Sequence, residues 1–483
     1  MARRKSEDLK VTNEVSRLRR VLVHSPDSGL GKVVPSKAQD WLFEDIVHLD
    51  TIRKNEYDFY TKILLYFLDP QKVKGKLAEI DSPAKNRSFY KPDNPEFHKS
   101  DKVIEVEWLL SEILDDKDIR NKLIASVCAI ELVPYRTQMK MTELPSAKLA
   151  KLFISGTMND NDMLFAPVPN LIFTRDTGIV VNEHILLSKP ARKARTRESL
   201  LVRYIFFNHP LFKSFKDKII EIPESHHHFL NPKDNEDRKV SLEGGDVMMV
   251  SKDHLLIGVS ERTSVEGAHQ AIKLLFEHKA VKKVSVLKIP KKRDYMHIDT
   301  IFTQVKRNMW VLLGHFSKKA VLRLDEDPIE RVLEESPKKD ERIHIVQFNA
   351  DNPEKHRTFK HLEHLLKDIS KNDLKCTEPV EFIYSGNNQF PFDAREQWTD
   401  SCNLLAIKEG VVIGYDRNDK TLEAFEKAGF SSIDGKELLE KFESGELTPD
   451  KLENTFIKMS SAELSRARGG FHCMSLPILR DDF

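Results

Sequence analysis

From residue 170 onward one pattern keeps returning: a short apolar run, a polar turn and a second apolar run. It occurs at 178–181 and 185–187 around Asn182-Glu183-His184, at 247–250 and 255–259, at 301–305 and 310–313, and at 404–407 and 411–414. Each pair reads as a β-hairpin, because short apolar runs bounded by turn residues are the signature of paired strands. Helical spacing follows three of the pairs, around 197–207, 265–278 and 420–428. Residues 20–24 form a fifth candidate start, ended by Ser25-Pro26-Asp27. Repeated hairpin-plus-helix units predict a pseudo-symmetric α/β arrangement of blades. Their spacing is too irregular for a solenoid.

The remainder of the chain breaks this rhythm. Residues 40–68 carry Leu42, Ile46, Leu49, Ile52, Phe59, Ile63, Leu64 and Phe67 at helical spacing, and Asp69-Pro70 stops them. Residues 70–103 are polar, contain Pro83, Pro92 and Pro95, and read as a surface insertion. Helical periodicity resumes from about 103 to 152. Residues 321–378 are charged, contain Pro328, Pro337 and Pro353, and look like an elaborated excursion between units.

Composition excludes several classes of partner. Lys+Arg is 77 and Asp+Glu is 76, a net charge of +1, so there is no bulk electrostatic case for nucleic acid or an anionic membrane. Lys291-Lys292-Arg293 reads as a solvated turn. No run approaches the ~18 apolar residues of a membrane span, and the charged N-terminus is not followed by an apolar stretch. Cys128, Cys376, Cys402 and Cys473 are far apart without a paired-cysteine motif, so no zinc framework is expected and a reducing compartment, the cytoplasm, is. His226-His227-His228, between Pro223 and Pro232, has no spaced partner set and is read as a loop and not a metal site. A homo-oligomer is left open.

Cys473 stands ten residues from the C-terminus in Arg468-Gly469-Gly470-Phe471-His472-Cys473. That place suits a nucleophile better than a structural disulfide. A thiolate needs a nearby base or positive charge. His472 is adjacent but would point to the opposite face if the stretch is extended. His297, in His297-Ile298-Asp299, would then share a face with Asp299, about 7 Å along the strand. Glu243-Gly244-Gly245-Asp246 sets acids at the mouth of a strand, and Glu243 could orient His297 as the third member of a triad does. Asp176 is either a structural acid paired with Arg175 or one half of a clamp with Asp299. Two carboxylates repel unless a cation lies between them, and a guanidinium, with its fork of N–H donors, is the cation that fits. Arg195, Arg262 and Arg468 read singly as surface arginines; together they could receive a carboxylate.

These segments, in this order, resemble the arginine deiminase family within the guanidino-modifying enzymes. The resemblance starts at residues 14–24. It runs through Pro169-Asn170-Leu171-Ile172-Phe173-Thr174-Arg175-Asp176, Glu243-Gly244-Gly245-Asp246, Met296-His297-Ile298-Asp299, Arg395-Glu396-Gln397-Trp398-Thr399-Asp400 and the Cys473 loop. It implies a five-bladed α/β propeller with an inserted helical subdomain: 1–69 the first propeller segment and leading helix, 70–155 a mainly helical insertion, and 156–483 the catalytic propeller. It also implies hydrolysis of free L-arginine to L-citrulline and ammonia through a cysteine thiouronium, with no metal or organic cofactor. In that scheme Cys473 is the nucleophile, His297 the acid/base and Glu243 its support, while Asp176 and Asp299 grip the guanidinium. Asn170, Arg195, Arg262 and Arg468 hold the amino-acid end, with Phe173 on the aliphatic stem. An amidinotransferase or a methylarginine deiminase is the alternative within the superfamily, and a non-catalytic arginine-binding protein is the alternative outside catalysis. Ala467 and Phe471 stand where related chains often have a longer glycine run.

Overall fold

The structure, a computed structural model, describes residues 9–38, 40–43, 45–159, 162–223, 240–316 and 343–483. The expected hairpins form. Gly178–Val181 pairs antiparallel with His184–Leu187, Val247–Ser251 with His254–Val259, Phe302–Lys306 with Met309–Leu312, and Leu405–Lys408 with Val411–Tyr415. The expected helices follow as Thr196–Asn208, Val265–Glu277 and Asp419–Lys427. Ser264 caps the second of them by accepting from the Gly267 N–H, which satisfies a backbone donor that the helix itself leaves unpaired.

Each unit also has a third strand, parallel to the second, that the hairpin pattern does not announce. Ile219–Ile220 joins the first sheet, Lys283–Lys288 the second, Glu381–Tyr384 the third and Thr455–Met459 the fourth. Parallel neighbours need a crossover, and a helix lies in each one. A fifth sheet joins the two ends of the chain. Leu18–Val23 runs antiparallel to Leu476–Arg480 and parallel to Val103–Glu105, with Leu22 opposite Leu476 and Val23 opposite Glu105. Five sheets among the described residues therefore share one strand pattern, and none of them closes on itself. The sheet begun by Val247–Ser251 is the widest. His344–Asn349 and Asn352–Phe359, from the excursion expected at 321–378, extend it to five strands; residues 317–342 of that stretch lie outside the described residues.

Four helices follow Val103–Glu105: Val106–Ile113, Lys117–Glu131, Tyr135–Thr142 and Ser146–Ser155. The helix expected over 40–68 forms only in its second part. Helical turns begin at Leu49–Thr51, pass through a π-type turn at Ile52–Tyr57, and become regular at Asp58–Leu68. Leu42 has φ +59°, a backbone conformation incompatible with a right-handed helix. Its apolar side chain serves the cavity described below and not a helix face. Among the described residues no helix is long and apolar enough to cross a membrane.

Candidate active site

Each of these five sheets is entered through a tight turn, and these turns carry the site. Pro169–Ile172 and Thr174–Thr177 precede the strand at Gly178 and hold Asn170 and Asp176, with Phe173 between them. Gly244–Asp246 follows Glu243 and precedes the strand at Val247, and Ile298–Thr300 follows His297 and precedes the strand at Phe302. Residues 399–402 turn ahead of Leu405, and residues 471–474 turn ahead of Leu476. Equivalent places in the five units thus supply one cluster.

The cluster surrounds a narrow cavity of about 30 Å³, lined by Asn170, Phe173, Asp176, Arg195, Glu243, Arg262, His297, Arg468 and Cys473. Leu42, Met296, Thr300, Ala467 and Gly469 complete the wall. Asp299 is the one expected site residue outside the lining; it lies against the thiol, which donates to its Oδ2 at 3.5 Å. Asn403 ties these two loops together. Its Oδ1 accepts from the Cys473 N–H at 3.0 Å, and its Nδ2 donates to the Asp299 carbonyl at 3.1 Å. Burial pushes the Cys473 thiol far up, and the charges of Asp299, Asp176 and Asp400 push it further. The thiol is therefore protonated, and a cation placed among those acids would reverse the bias.

His297 faces two acids. Its Nε2 lies 3.0 Å from Glu243 Oε2 and its Nδ1 3.7 Å from Asp176 Oδ1. Burial disfavours the imidazolium, but Asp176, Glu243 and Asp246 outweigh it and raise the histidine well above its ordinary range. Burial likewise opposes the Glu243 carboxylate, while the His297 hydrogen bond and Arg195 hold it low. The paired glycines make this approach feasible. A Cβ on Gly245 would lie 2.6 Å from His297 Nδ1, and one on Gly244 would lie 2.0 Å from the Arg175 carbonyl oxygen.

Both candidate clamp residues keep one carboxylate oxygen unused. Asp176 Oδ2 accepts from Arg195 Nη1 at 2.7 Å, and Asp299 Oδ2 accepts from His472 Nδ1 at 2.9 Å. Asp176 Oδ1 and Asp299 Oδ1 are buried and make no hydrogen bond. A buried polar atom without a partner is uncommon enough to need a reason. Arg262 Nε and Arg468 Nε and Nη1 are also buried without a hydrogen-bond partner. Asp176, Glu243 and His297 bring three potential metal-ligand atoms within 4.8 Å of one another. Arg195 Nη1, at 2.7 Å from Asp176 and 3.3 Å from Glu243, already supplies positive charge to both carboxylates.

Several local expectations need correction. The 297–299 stretch is not extended throughout: His297 is, but Ile298–Thr300 is a 3₁₀ turn pinned by the Ile298 N–H to Asp246 Oδ1 at 3.1 Å. The two side chains therefore part, His297 toward Glu243 and Asp299 toward Cys473. Arg175 pairs with Glu14 at 3.2 Å and not with Asp176. Arg195 and Arg468 are buried and not surface residues; Arg195 is held by Glu198 as well as by Asp176 and Glu243. His472 and Cys473 occupy a turn, not a strand, so both reach the same Asp299 oxygen. Glu14, Asn403, Asp246 and Glu198 support the cluster although none was singled out from the sequence for that role. His226-His227-His228 lies outside the described residues.

Comparison with known proteins agrees with this chemistry. The model of the family described as arginine deiminase matches residues 129–480. The chain belongs to the arginine deiminase family. The matched stretch contains every residue lining the cavity except Leu42. An arginine deiminase of Borrelia garinii is 28% identical over 482 residues, covering 98% of both chains. One of Staphylococcus aureus is 30% identical over 480 residues, again covering 98% of both. Among solved structures, an amidinotransferase of the saxitoxin pathway from Microseira wollei aligns over 98% of both chains with 12% identity and a TM-score of 0.47.

Proposed function

We infer that this protein hydrolyses free L-arginine to L-citrulline and ammonia through a covalent adduct on Cys473. The observation that carries this reading is the thiol resting on Asp299 at 3.5 Å in the same cluster as Asp176 and the His297–Glu243 pair. The unused oxygens of Asp176 and Asp299 accept N–H groups of the guanidinium. Its positive charge then offsets the negative field that keeps the thiol protonated, the thiol proton passes to solvent, and the thiolate attacks the central carbon. The C–S bond forms, His297 in its protonated state gives a proton to the departing nitrogen, and ammonia leaves. Neutral His297 next takes a proton from water, whose oxygen adds to the thiouronium carbon. Collapse breaks the C–S bond as the hydroxyl proton passes to solvent, which forms the ureido carbonyl, returns the thiolate and frees citrulline.

Arg262 and Arg468, with Arg262 Nε and Arg468 Nε and Nη1 lacking hydrogen-bond partners, receive the substrate carboxylate together with Asn170. Phe173 packs on the aliphatic stem. Arg195 acts from behind Asp176, balancing the acids. The five sheets of like pattern support a five-bladed propeller, with 1–69 as its first segment, 70–155 as a mainly helical insertion and 156–483 as the catalytic body. Free cysteines support a cytoplasmic home.

The test is a citrulline and ammonia assay on the purified protein with L-arginine, run with and without an amine acceptor. Equal citrulline and ammonia are expected, unaffected by the acceptor, and none from Cys473→Ala. A guanidinylated acceptor would point to an amidinotransferase, and arginine binding without turnover to a non-catalytic protein.

A further inference from the structure

Arg468 is an unusual residue for its position. It ends the 3₁₀ turn Leu464–Ala467 with φ +62°, a conformation that a long side chain seldom adopts. It is buried, lines the cavity, and leaves Nε and Nη1 without hydrogen bonds. A guanidinium without fixed partners would sample several rotamers, each at the cost of the geometry a planar carboxylate requires.

One contact opposes that freedom. The guanidinium carbon of Arg468 sits 3.5 Å from the centre of the Trp398 ring. Trp398 is itself 46% exposed, so core burial does not account for an indole there. Its support is rigid. Trp398 ends the helix Phe392–Trp398. Within that helix Glu396 accepts from the N–H groups of Lys420 and Thr421 at 2.7 and 2.8 Å, and from the Thr421 hydroxyl at 2.6 Å. Gln397 Nε2 donates to the Asp294 carbonyl at 2.5 Å, three residues before His297. The platform under Arg468 is thus fastened both to the following helix and to the loop that carries the histidine.

We propose that Trp398 is a positioning residue for substrate: its ring holds the Arg468 guanidinium flat, with Nε and Nη1 free for the carboxylate of arginine. The proposal rests on the reading that Arg468 receives that carboxylate. Stacking of this kind is a face-on attraction between cation and π-system, and it leaves the in-plane N–H groups available. The interaction acts on binding and not on the reacting carbon, so its loss raises KM and leaves kcat in place.

The experiment measures kcat and KM for L-arginine in the wild type, Trp398→Phe, Trp398→Leu, Trp398→Gln, Arg468→Leu and the double variant Trp398→Leu/Arg468→Leu. Two truncations of an exposed ring are included so that a folding failure in one does not decide the matter. The expected result is a KM rise of about tenfold in Trp398→Leu and Trp398→Gln, with kcat within about twofold, and near-wild-type KM in Trp398→Phe. In the Arg468→Leu background the Trp398→Leu change adds no further rise. An unchanged KM in both truncations, an equal rise with Arg468 already absent, or a loss confined to kcat would overturn the proposal. Arg468→Leu with a wild-type KM would instead overturn the carboxylate reading beneath it.

Discussion

Replacing Asp299 by Asn should make Cys473 a more reactive thiol and the enzyme a worse catalyst. The change keeps shape and removes one negative charge next to the sulfur. At 3.5 Å, with an effective dielectric of about 20, a thiolate and a carboxylate repel by about 5 kcal/mol. Part of the upward push on the Cys473 thiol is this repulsion, so Asp299→Asn leaves more thiolate in the empty site. Turnover moves the other way, because in the proposed mechanism the guanidinium loses one of its two charged partners. Removing one member of a buried charged pair costs about 3–5 kcal/mol, so kcat/KM should fall by about 10² to 10⁴. The assay pairs steady-state citrulline production with iodoacetamide labelling at pH 8, read at the Cys473 peptide by mass spectrometry so that Cys376 does not contribute. Labelling should accelerate at least about tenfold. Slower or unchanged labelling, with the fold intact, would show that Asp299 does not set the state of the thiol and would refute the electrostatic argument.

Asp400 offers a pH test of stability. It is buried with one oxygen unpaired; burial lifts it to about 7, Asp299 adds to the lift and Arg468 opposes it. The folded state thus holds this proton more tightly than the unfolded chain. The stabilisation is complete below the ordinary aspartate range and is lost as pH rises through about 7. Asp400→Asn should therefore gain on the wild type between pH 5 and 8, by at most about 3 kcal/mol, in urea melts at the two pH values; parallel curves would refute the assignment. Phe471, fully buried, lies with its ring 5.0 Å from both Tyr60 and Tyr415. Phe471→Ala should cost about 3–5 kcal/mol in urea and speed hydrogen exchange over 468–473.

The strands that pair locally were legible. Hairpin partners are neighbours in sequence, and alternating apolar runs around a short turn reveal them. The parallel third strands were not, because their partners lie across a helix and Ile219–Ile220 is only two residues long. At the site, Cys473, Glu243, Asp176 and Asp299 stood out by type and by the glycines and turns near them. Their detailed facing did not. Whether His297 and Asp299 share a side depends on a 3₁₀ turn fixed by Asp246, a tertiary contact. His472 reaches Asp299 because residues 471–474 form a turn and not an extended stretch. Glu14, which neutralises Arg175 beneath the nucleophile loop, comes from the other end of the chain and had no local signal.

The strand Leu476–Arg480 zips onto Leu18–Val23, and the Cys473 sulfur sits just ahead of that seam. Assembly around the sulfur therefore waits on two strands from distant parts of the sequence finding each other. A substitution that loosens this seam would therefore disturb the thiol loop together with the sheet.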